Sequence, residues 1–244
     1  MALEKVLLDS SIKGKIPNTL HFLEFLPCVL LGYGQNVEEQ VELDFCKMKD
    51  IEINRRISGG GAIYLDGGTL GWEIAAKKNT PGIPGNLNDM YSKLCGAVIA
   101  SLSKFGIDAA YRPLNDIEIN GKKISGAGGT ELDDSFIFHG TLLVDFDAET
   151  MVRALKVPMK KRKENPAIDF TQQSADRRTI SMKELLGHAP AMGEVKKSLV
   201  EAFVEILGIE FFEGGLEEEE LISLDAELPR FASDEWVYGR RRNE

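Results

Sequence analysis

The chain is 244 residues long, 43% hydrophobic and 28% charged, which supplies enough apolar side chains for a sizeable buried core. Its net charge is −10, from 29 Lys and Arg against 39 Asp and Glu, and so acidic a chain is not expected to bind nucleic acid. No stretch approaches the roughly 18 uninterrupted apolar residues of a membrane helix, so no membrane partner is expected either.

The opening, MALEKVLLDS, carries an acid and a base by residue 5 and does not read as a secretory signal. The three cysteines, Cys28, Cys46 and Cys95, are scattered, which argues against a disulfide framework or a zinc site and for a reducing, cytoplasmic setting. The apolar run at 28–31 predicts a strand. Gly32-Tyr33-Gly34 then begins like a dinucleotide-binding turn, but Val37 takes the third glycine position and no acidic ribose partner follows. Val37, Val41, Phe45 and Met48 fall on one face of a single short helix. Further strands are predicted at 51–54, 62–65 and 70–74.

Between the first two of these lies Arg55-Arg56-Ile57-Ser58-Gly59-Gly60-Gly61-Ala62-Ile63-Tyr64. Consecutive glycines expose backbone N–H groups with no side chain in the way, so the loop can wrap an anion or let a ligand lie on the main chain. The arginines add permanent charge and forked donors suited to phosphate or carboxylate. Neighbours on a strand point to opposite faces, so only one of the two should face the loop. A plain flexible hairpin is the alternative reading of this block alone.

Leu87, Tyr91, Leu94, Val98, Leu102 and Phe105 predict a longer helix that stops at Gly106. Strands at 116–119 and 123–127 flank Asn120-Gly121, a hairpin signal because both residues tolerate positive φ. Simple alternation places Lys123, Ser125 and Ala127 on one face and Lys122, Ile124 and Gly126 on the other, so one lysine points into a site while its neighbour points out. Asp116 is a candidate Mg²⁺ ligand, since that ion takes one or two carboxylates beside phosphate oxygens. A strand at 136–146 carries His139, one of three histidines, which reads either as a structural hydrogen-bonder or as a site residue. Pro158, the basic run Lys160, Lys161, Arg162 and Lys163, and Pro166 mark a soft boundary near 155–180. The basic run reads as a solvated surface or as a dock for an acidic protein. Val195, Leu199, Phe203 and Ile206 predict a helix ending at Gly208, and Glu217 to Glu220 read as a solvated loop or helix surface. Strands first and helices afterwards make an α+β fold.

In combination, RRISGGGAIYLD (55–66), ND (115–116) with NGKKISG (120–126), and HGTLLVDFD (139–147) resemble the signatures of the lipoate–protein ligase family. MALEKVLL and FASDEWVYG are similar to stretches of the same superfamily. The likeness is close over 1–150 and looser over 151–244. It implies a biotin/lipoate protein ligase-like catalytic domain, with helices packed around a mixed sheet and a single domain spanning 1–244. It implies an ATP-dependent ligase that converts lipoate to lipoyl-AMP with Mg²⁺ and passes the lipoyl group to a lysine of an apo carrier protein. That carrier would be a lipoyl domain, a glycine-cleavage H-type protein or another lipoate-binding protein. By position Lys123 would be the catalytic lysine, and Asp116 would hold the metal. ATP and lipoyl-AMP would lie against Arg56, Ser58, Gly59, Gly60, Gly61, Ala62, Ile63, Tyr64, Lys123, Ser125, Gly126 and His139. The lipoyl tail should occupy an apolar groove lined partly by Tyr64.

The chain departs from the family pattern at Leu65, where the family carries a histidine. A strand before MALEKVLL and a C-terminal accessory domain are also expected to be missing. A separate polypeptide can supply the accessory part in this family, so an accessory ligase subunit is an expected partner. The nearest alternative is an octanoyltransferase of the same superfamily, which carries its acyl group on a cysteine near or beyond the lysine motif; here no cysteine follows Cys95. A biotin ligase would show a GRGRxxR-type loop in place of RRISGGG. A non-catalytic binder of lipoyl-AMP or of lipoylated protein is the reading from a different class.

Overall fold

The strand Ser135–Leu143 (β9) alternates so that Phe136, Phe138 and Leu142 fall on one face and Ile137, His139 and Thr141 on the other. The two faces meet different neighbours, and that division organises the chain. The computed structural model describes residues 1–113, 115–156 and 178–239. In it, β9 lies inside a six-stranded antiparallel sheet. Its strands, in spatial order, are β1 (Thr19–Glu24), β5 (Thr69–Lys77), β9, β8 (Lys122–Leu132), β7 (Asp116–Ile119) and β6 (Ala110–Arg112).

A smaller sheet places β2 (Cys28–Leu31) between β3 (Glu52–Arg55), to which it is parallel, and β4 (Ile63–Leu65), to which it is antiparallel. The α+β class thus holds, with a mixed three-stranded sheet beside the antiparallel six-stranded one. Among the named strands of the described residues, only β2 and β3 pair in parallel, and α2 (Val37–Gln40) and α3 (Leu43–Met48) supply the crossover that parallel strands need. The one helix expected over 37–48 is broken in two. Val41 is extended and bridges Leu155, which buries it completely, and that tertiary pairing outweighs the helical spacing.

The phenylalanine face of the large sheet is covered by α4 (Leu87–Ser103) and α7 (Met192–Leu207). Asn86 caps α4 by accepting from the Asp89 amide at 2.9 Å, and Gly208 ends α7 in the left-handed conformation expected of it. Trp72 stacks near Phe138 and tilts against Phe203, with ring centroids 5.9 and 5.3 Å away. Over the opposite face runs α1 (Ala2–Ile12), whose Leu7 and Leu8 pack on Ala75 and Ile137. Two shorter helices are α5 (Ala148–Ala154) and α6 (Met182–Leu186), the latter opened by a capping box between Ser181 and Glu184. The Asn120-Gly121 turn has φ of 50° and 77°, as the hairpin reading required. The helix α1, the strands β1 and β6, and the helix α8 (Glu218–Phe231) were not legible from periodicity. Glu217 and Glu220 form the capping box of α8, so of the two readings of the acidic run the helix holds, and the run is its first turn. The basic run 160–163 lies outside the described residues. Among those described, no helix is long and apolar enough to cross a membrane.

Arg55 ties the C-terminal helix α9 (Asp234–Tyr238) to the small sheet. Its guanidinium, fully buried, donates to the carbonyls of Gly32, Tyr33 and Gln35 at 3.1, 3.1 and 2.7 Å. It also donates to Trp236 and Val237, the latter at 2.7 Å, while the Trp236 indole donates to the Arg55 carbonyl at 2.8 Å. The motif FASDEWVYG is therefore the clamp on this arginine. Removing the fork strands several carbonyls without water, at about 1–3 kcal/mol each. Arg55→Met is expected to lower unfolding stability by at least about 3 kcal/mol in urea titrations; a loss below about 1 kcal/mol would show that the clamp relaxes without cost.

Candidate active site

The turn after β3 is built around Arg56, which is 5% exposed. Its Nη2 donates to the carbonyls of Gly59 and Gly61 at 2.7 and 2.8 Å, Nη1 to Leu30 at 3.1 Å, and Nε to Ser58 Oγ at 3.1 Å. A trans peptide sets each carbonyl opposite the next N–H, so turning those two carbonyls inward turns the Gly60 and Ala62 amides outward. Gly60 sits at φ +100°, where a Cβ would lie 2.8 Å from Arg56 Nη2, and a Cβ on Gly32 would fall 2.0 Å from the Gly60 carbonyl oxygen. Arg55 and Arg56 do point apart, and it is Arg56 that meets the loop. Burial lowers the Arg56 pKa to about 10, with Glu4 opposing that shift, so the guanidinium stays charged at neutral pH.

The turn reaches the large sheet through Ser58, whose Oγ lies 2.6 Å from His139 Nε2. The Ser58 hydroxyl accepts from Arg56 and also bonds the imidazole, so it links the turn to the sheet. Burial, first of all, pushes the His139 pKa down to about 4, with the Arg56 charge acting in the same direction, so the ring is neutral.

On β8, the strand next to that of His139, stands Lys123. Its face differs from simple alternation in its companions: a bulge at Ile124 lets Glu118 pair with Lys123 while Ile117 pairs with Ser125. Lys123 therefore shares a face with Asp116 and Gly126. Ser125, 1% exposed, points with Ile117 into the core, so that expectation is corrected. Lys123 Nζ pairs with Asp116 Oδ1 at 2.5 Å, and a Cβ on Gly126 would touch that amine. The Lys123 amide donates to the Arg178 carbonyl at 2.7 Å, and Ile180 donates back to Lys123 at 2.9 Å, a clasp from the C-terminal half that no motif announced. Asn115 anchors the same strand end by donating to the Ala127 carbonyl at 2.8 Å.

The His139 ring leans over Gly128 on the same sheet face. Gly126 and Gly128 are two residues apart, roughly 7 Å along the strand. The lysine amine and the glycine turn thus converge on one partly open surface, where the Lys123 and Asp116 side chains are 38% and 24% exposed. Among the described residues Asp116 is the carboxylate paired with that amine, and Glu118 is engaged by Arg112 at 2.5 Å. One carboxylate fits an Mg²⁺ held chiefly by phosphate oxygens, and among the described residues no denser acidic or histidine cluster could hold a metal. The Tyr64 ring lies in the core of the small sheet against Phe146, so this position offers the site its main chain and not its ring. Leu65 is likewise buried, opposite Cys28. No cysteine stands on the Lys123 face: Cys95 is in the core beneath the sheet, Cys46 is in the small-sheet core and Cys28 is in β2. Burial raises the Cys28 and Cys95 thiols to about 12. Sequence reasoning missed Glu4, His21 and Glu73, which gather beside His139; the signal available was an acid in the middle of the apolar run TLGWEIAAK.

Residues 1–204 match the family model described as lipoyl protein ligase A/B catalytic domain. Lipoate-protein ligase A subunit 1 of Thermoplasma acidophilum is 30% identical over 92% of this chain and 86% of its own length. Octanoyltransferase LipM of Kyrpidia tusciae is 24% identical over 98% of this chain and 93% of its own. Among solved structures, a bi-partite lipoate protein ligase from Thermoplasma acidophilum, described with its E2 lipoyl domain, aligns with a TM-score of 0.82 at 28% identity, over 99% of this chain and 93% of that one. A lipoate-protein ligase A bound with ATP aligns with a TM-score of 0.81 at 26% identity, over 98% and 94%.

His21 and His139 both have pKa values lowered to about 4 from 6.5, chiefly by burial. Between those values the unfolded chain binds protons that the folded chain refuses, so their contribution is complete above pH 6.5 and is lost as pH falls towards 4. The urea midpoint is expected to decline over that window, and more shallowly in a His21→Phe, His139→Gln double variant. An identical slope in the two proteins would show that these rings are not what the folded state excludes.

Proposed function

The chain belongs to the lipoyl protein ligase A/B catalytic family, and from that premise we propose that it is an ATP-dependent lipoate–protein ligase. It converts lipoate to lipoyl-AMP and passes the lipoyl group to a lysine of an apo carrier protein. The observation that carries this reading is the shared sheet face that bears the Lys123 amine and, through His139, is tied to the Arg56-held turn.

Two anions must approach each other when a carboxylate attacks the α-phosphate. The Lys123 ammonium offsets that repulsion, and the outward amides of Gly60 and Ala62 give phosphate or acyl oxygens fixed donors that need no reorganisation. Arg56 acts from inside the turn, setting the direction of those amides. Asp116 is the residue that would hold Mg²⁺, which when bound supplies positive charge to the phosphates. The acyl adenylate forms as the bond between the α- and β-phosphates breaks and pyrophosphate leaves; the neutral ε-amine of the acceptor lysine then attacks its carbonyl, and the new amide forms as the acyl–phosphate bond breaks, AMP leaves and the amine gives up a proton. The ligase that was solved with ATP supports nucleotide binding here. The likeness to a ligase subunit 1 and to a bi-partite ligase supports an accessory subunit as partner. The acceptor is a small lipoyl-carrier domain, the kind that accompanies the bi-partite relative.

The second reading, octanoyltransfer, follows from the likeness to LipM. A thioester route needs a thiolate within reach of the site, and the placement of Cys28, Cys46 and Cys95 favours the adenylate instead.

Intact mass spectrometry after incubation with ATP, Mg²⁺, lipoate and a panel of apo carriers should show one lipoyl increment that depends on ATP. An increment that appears only after an accessory protein is added would identify a two-part ligase. Octanoyl transfer from an acyl carrier protein without ATP would establish the transferase instead. Lys123→Ala is expected to cost about 10²–10³-fold, roughly 2.7–4 kcal/mol, in both half-reactions. Lys122→Ala, with its side chain on the other face of the strand, should cost little. Equal losses in the two would refute the face assignment.

A further inference from the structure

The sheet face that carries His139 also carries Glu73, which pairs in register with His21 of β1 and His139 of β9. The helix α1 closes over this face. Its Leu7 and Leu8 rest on Ala75 and Ile137, and about one turn earlier Glu4 reaches Glu73.

Glu73 and Glu4 are 1% and 4% exposed, and their carboxyls are in hydrogen-bond contact. Among the described residues neither pairs with a lysine or arginine; the one close base is His21, whose Nε2 lies 3.6 Å from Glu73 Oε1. Two carboxyls in contact away from water cannot both ionise, so one proton lies between them. Burial, reinforced by Glu4, holds the Glu73 carboxyl well above its ordinary range, which makes Glu73 the donor. Burial also lowers the His21 pKa to about 4, with Glu4 opposing that shift, so the ring is neutral and offsets no second charge. Of the other groups that face the pair, His139 is neutral, while Arg56 and the amino terminus of α1 act on it without an ion-pair contact. The helices α8 and α9 meet the start of α1 through Phe231, Trp236 and Val237, which carry no charge. Glu4 Oε2 and Glu73 Oε1 have no hydrogen-bond partner, so no donor stands ready for a second negative charge.

We propose that Glu4 and Glu73 form a proton-operated latch, in which the shared proton seats α1 on the site-bearing face and its loss as pH rises releases the helix. The proton goes to solvent, and the two carboxylates part because like charges in contact are unfavourable away from water. The cover over this face is therefore looser in neutral and alkaline solution than in mildly acidic solution. The latch is a property of the fold and stands independently of the reaction proposed above.

With α1 lifted, Glu73 regains its ordinary value of 4.5 and the histidines theirs of 6.5. Above pH 6.5 the histidines are neutral whether the helix is seated or lifted, so only the acid pair changes its proton count. The seated state holds one proton more. The ratio of lifted to seated helix then rises about tenfold per pH unit until the seated pair itself ionises.

Hydrogen exchange of the full chain, followed upward from pH 6.5 and corrected for the intrinsic pH dependence of exchange, reads this ratio from the amides of Val6 to Ile12. Their protection should lie below that of α4 and fall about tenfold per pH unit. Glu73→Gln keeps the side-chain shape and gives Glu4 an amide donor that does not titrate, so α1 should stay protected and the slope should vanish. Protection of α1 that does not change with pH in the unaltered chain would overturn the latch. So would a slope that Glu73→Gln leaves intact, or an α1 that exchanges only together with α4, since that is unfolding of the whole chain.

Discussion

The contact on which the site depends is the one that Arg56 makes with its own turn. A guanidinium buried beneath Gly59, Gly60 and Gly61 holds two carbonyls inward, and the planarity of the peptide does the rest by turning the following amides outward. A buried charge needs several partners to remain ionised, and the turn supplies them. The turn in turn owes its shape to the charge. The same side chain polarises Ser58, and through Ser58 the small sheet is joined to the large one at His139. A lysine could not replace it, because a single ammonium has no fork to span both carbonyls.

Arg55, one residue earlier, faces the other way and closes the C-terminal helix onto the small sheet, leaving Arg56 to the turn. Two adjacent identical residues therefore divide structure and site between them. That division was legible in the sequence from strand geometry alone, as were the hairpin at Asn120-Gly121 and the helices that became α4 and α7. The long apolar stripes of those helices recur at fixed spacing, so no tertiary information was needed to find them.

What was not legible had tertiary causes. The bulge at Ile124 moves Ser125 into the core and sets Lys123 beside Gly126, and nothing in KKISG announces an extra residue. Val41 breaks a helix because it is needed to bridge Leu155, a partner 114 residues away. The strand β1 is a half-buried edge strand with no clean alternation, and α1 owes its place to the sheet it covers. Glu4, His21 and Glu73 come from three separate elements, so only the fold brings them together. Motifs found the residues that lie on one loop or one hairpin; they could not find those that meet across strands.

The pairing of Lys123 with Asp116 bears on how such a site would operate. A bare ammonium beside an open sheet face is mobile, and its four-carbon stem gives it many positions. Asp116 holds it over Gly126, where the glycine leaves room for the amine, and the clasp by Arg178 and Ile180 fixes the strand beneath. The ion pair is partly exposed, so it is worth little to stability, and that weakness suits a site that must exchange partners. An arriving phosphate or carboxylate can take over the amine at small cost, and the freed carboxylate is then placed to meet a cation. The same two charges would therefore serve as a resting lock and, once parted, as the two poles of a phosphate-binding site.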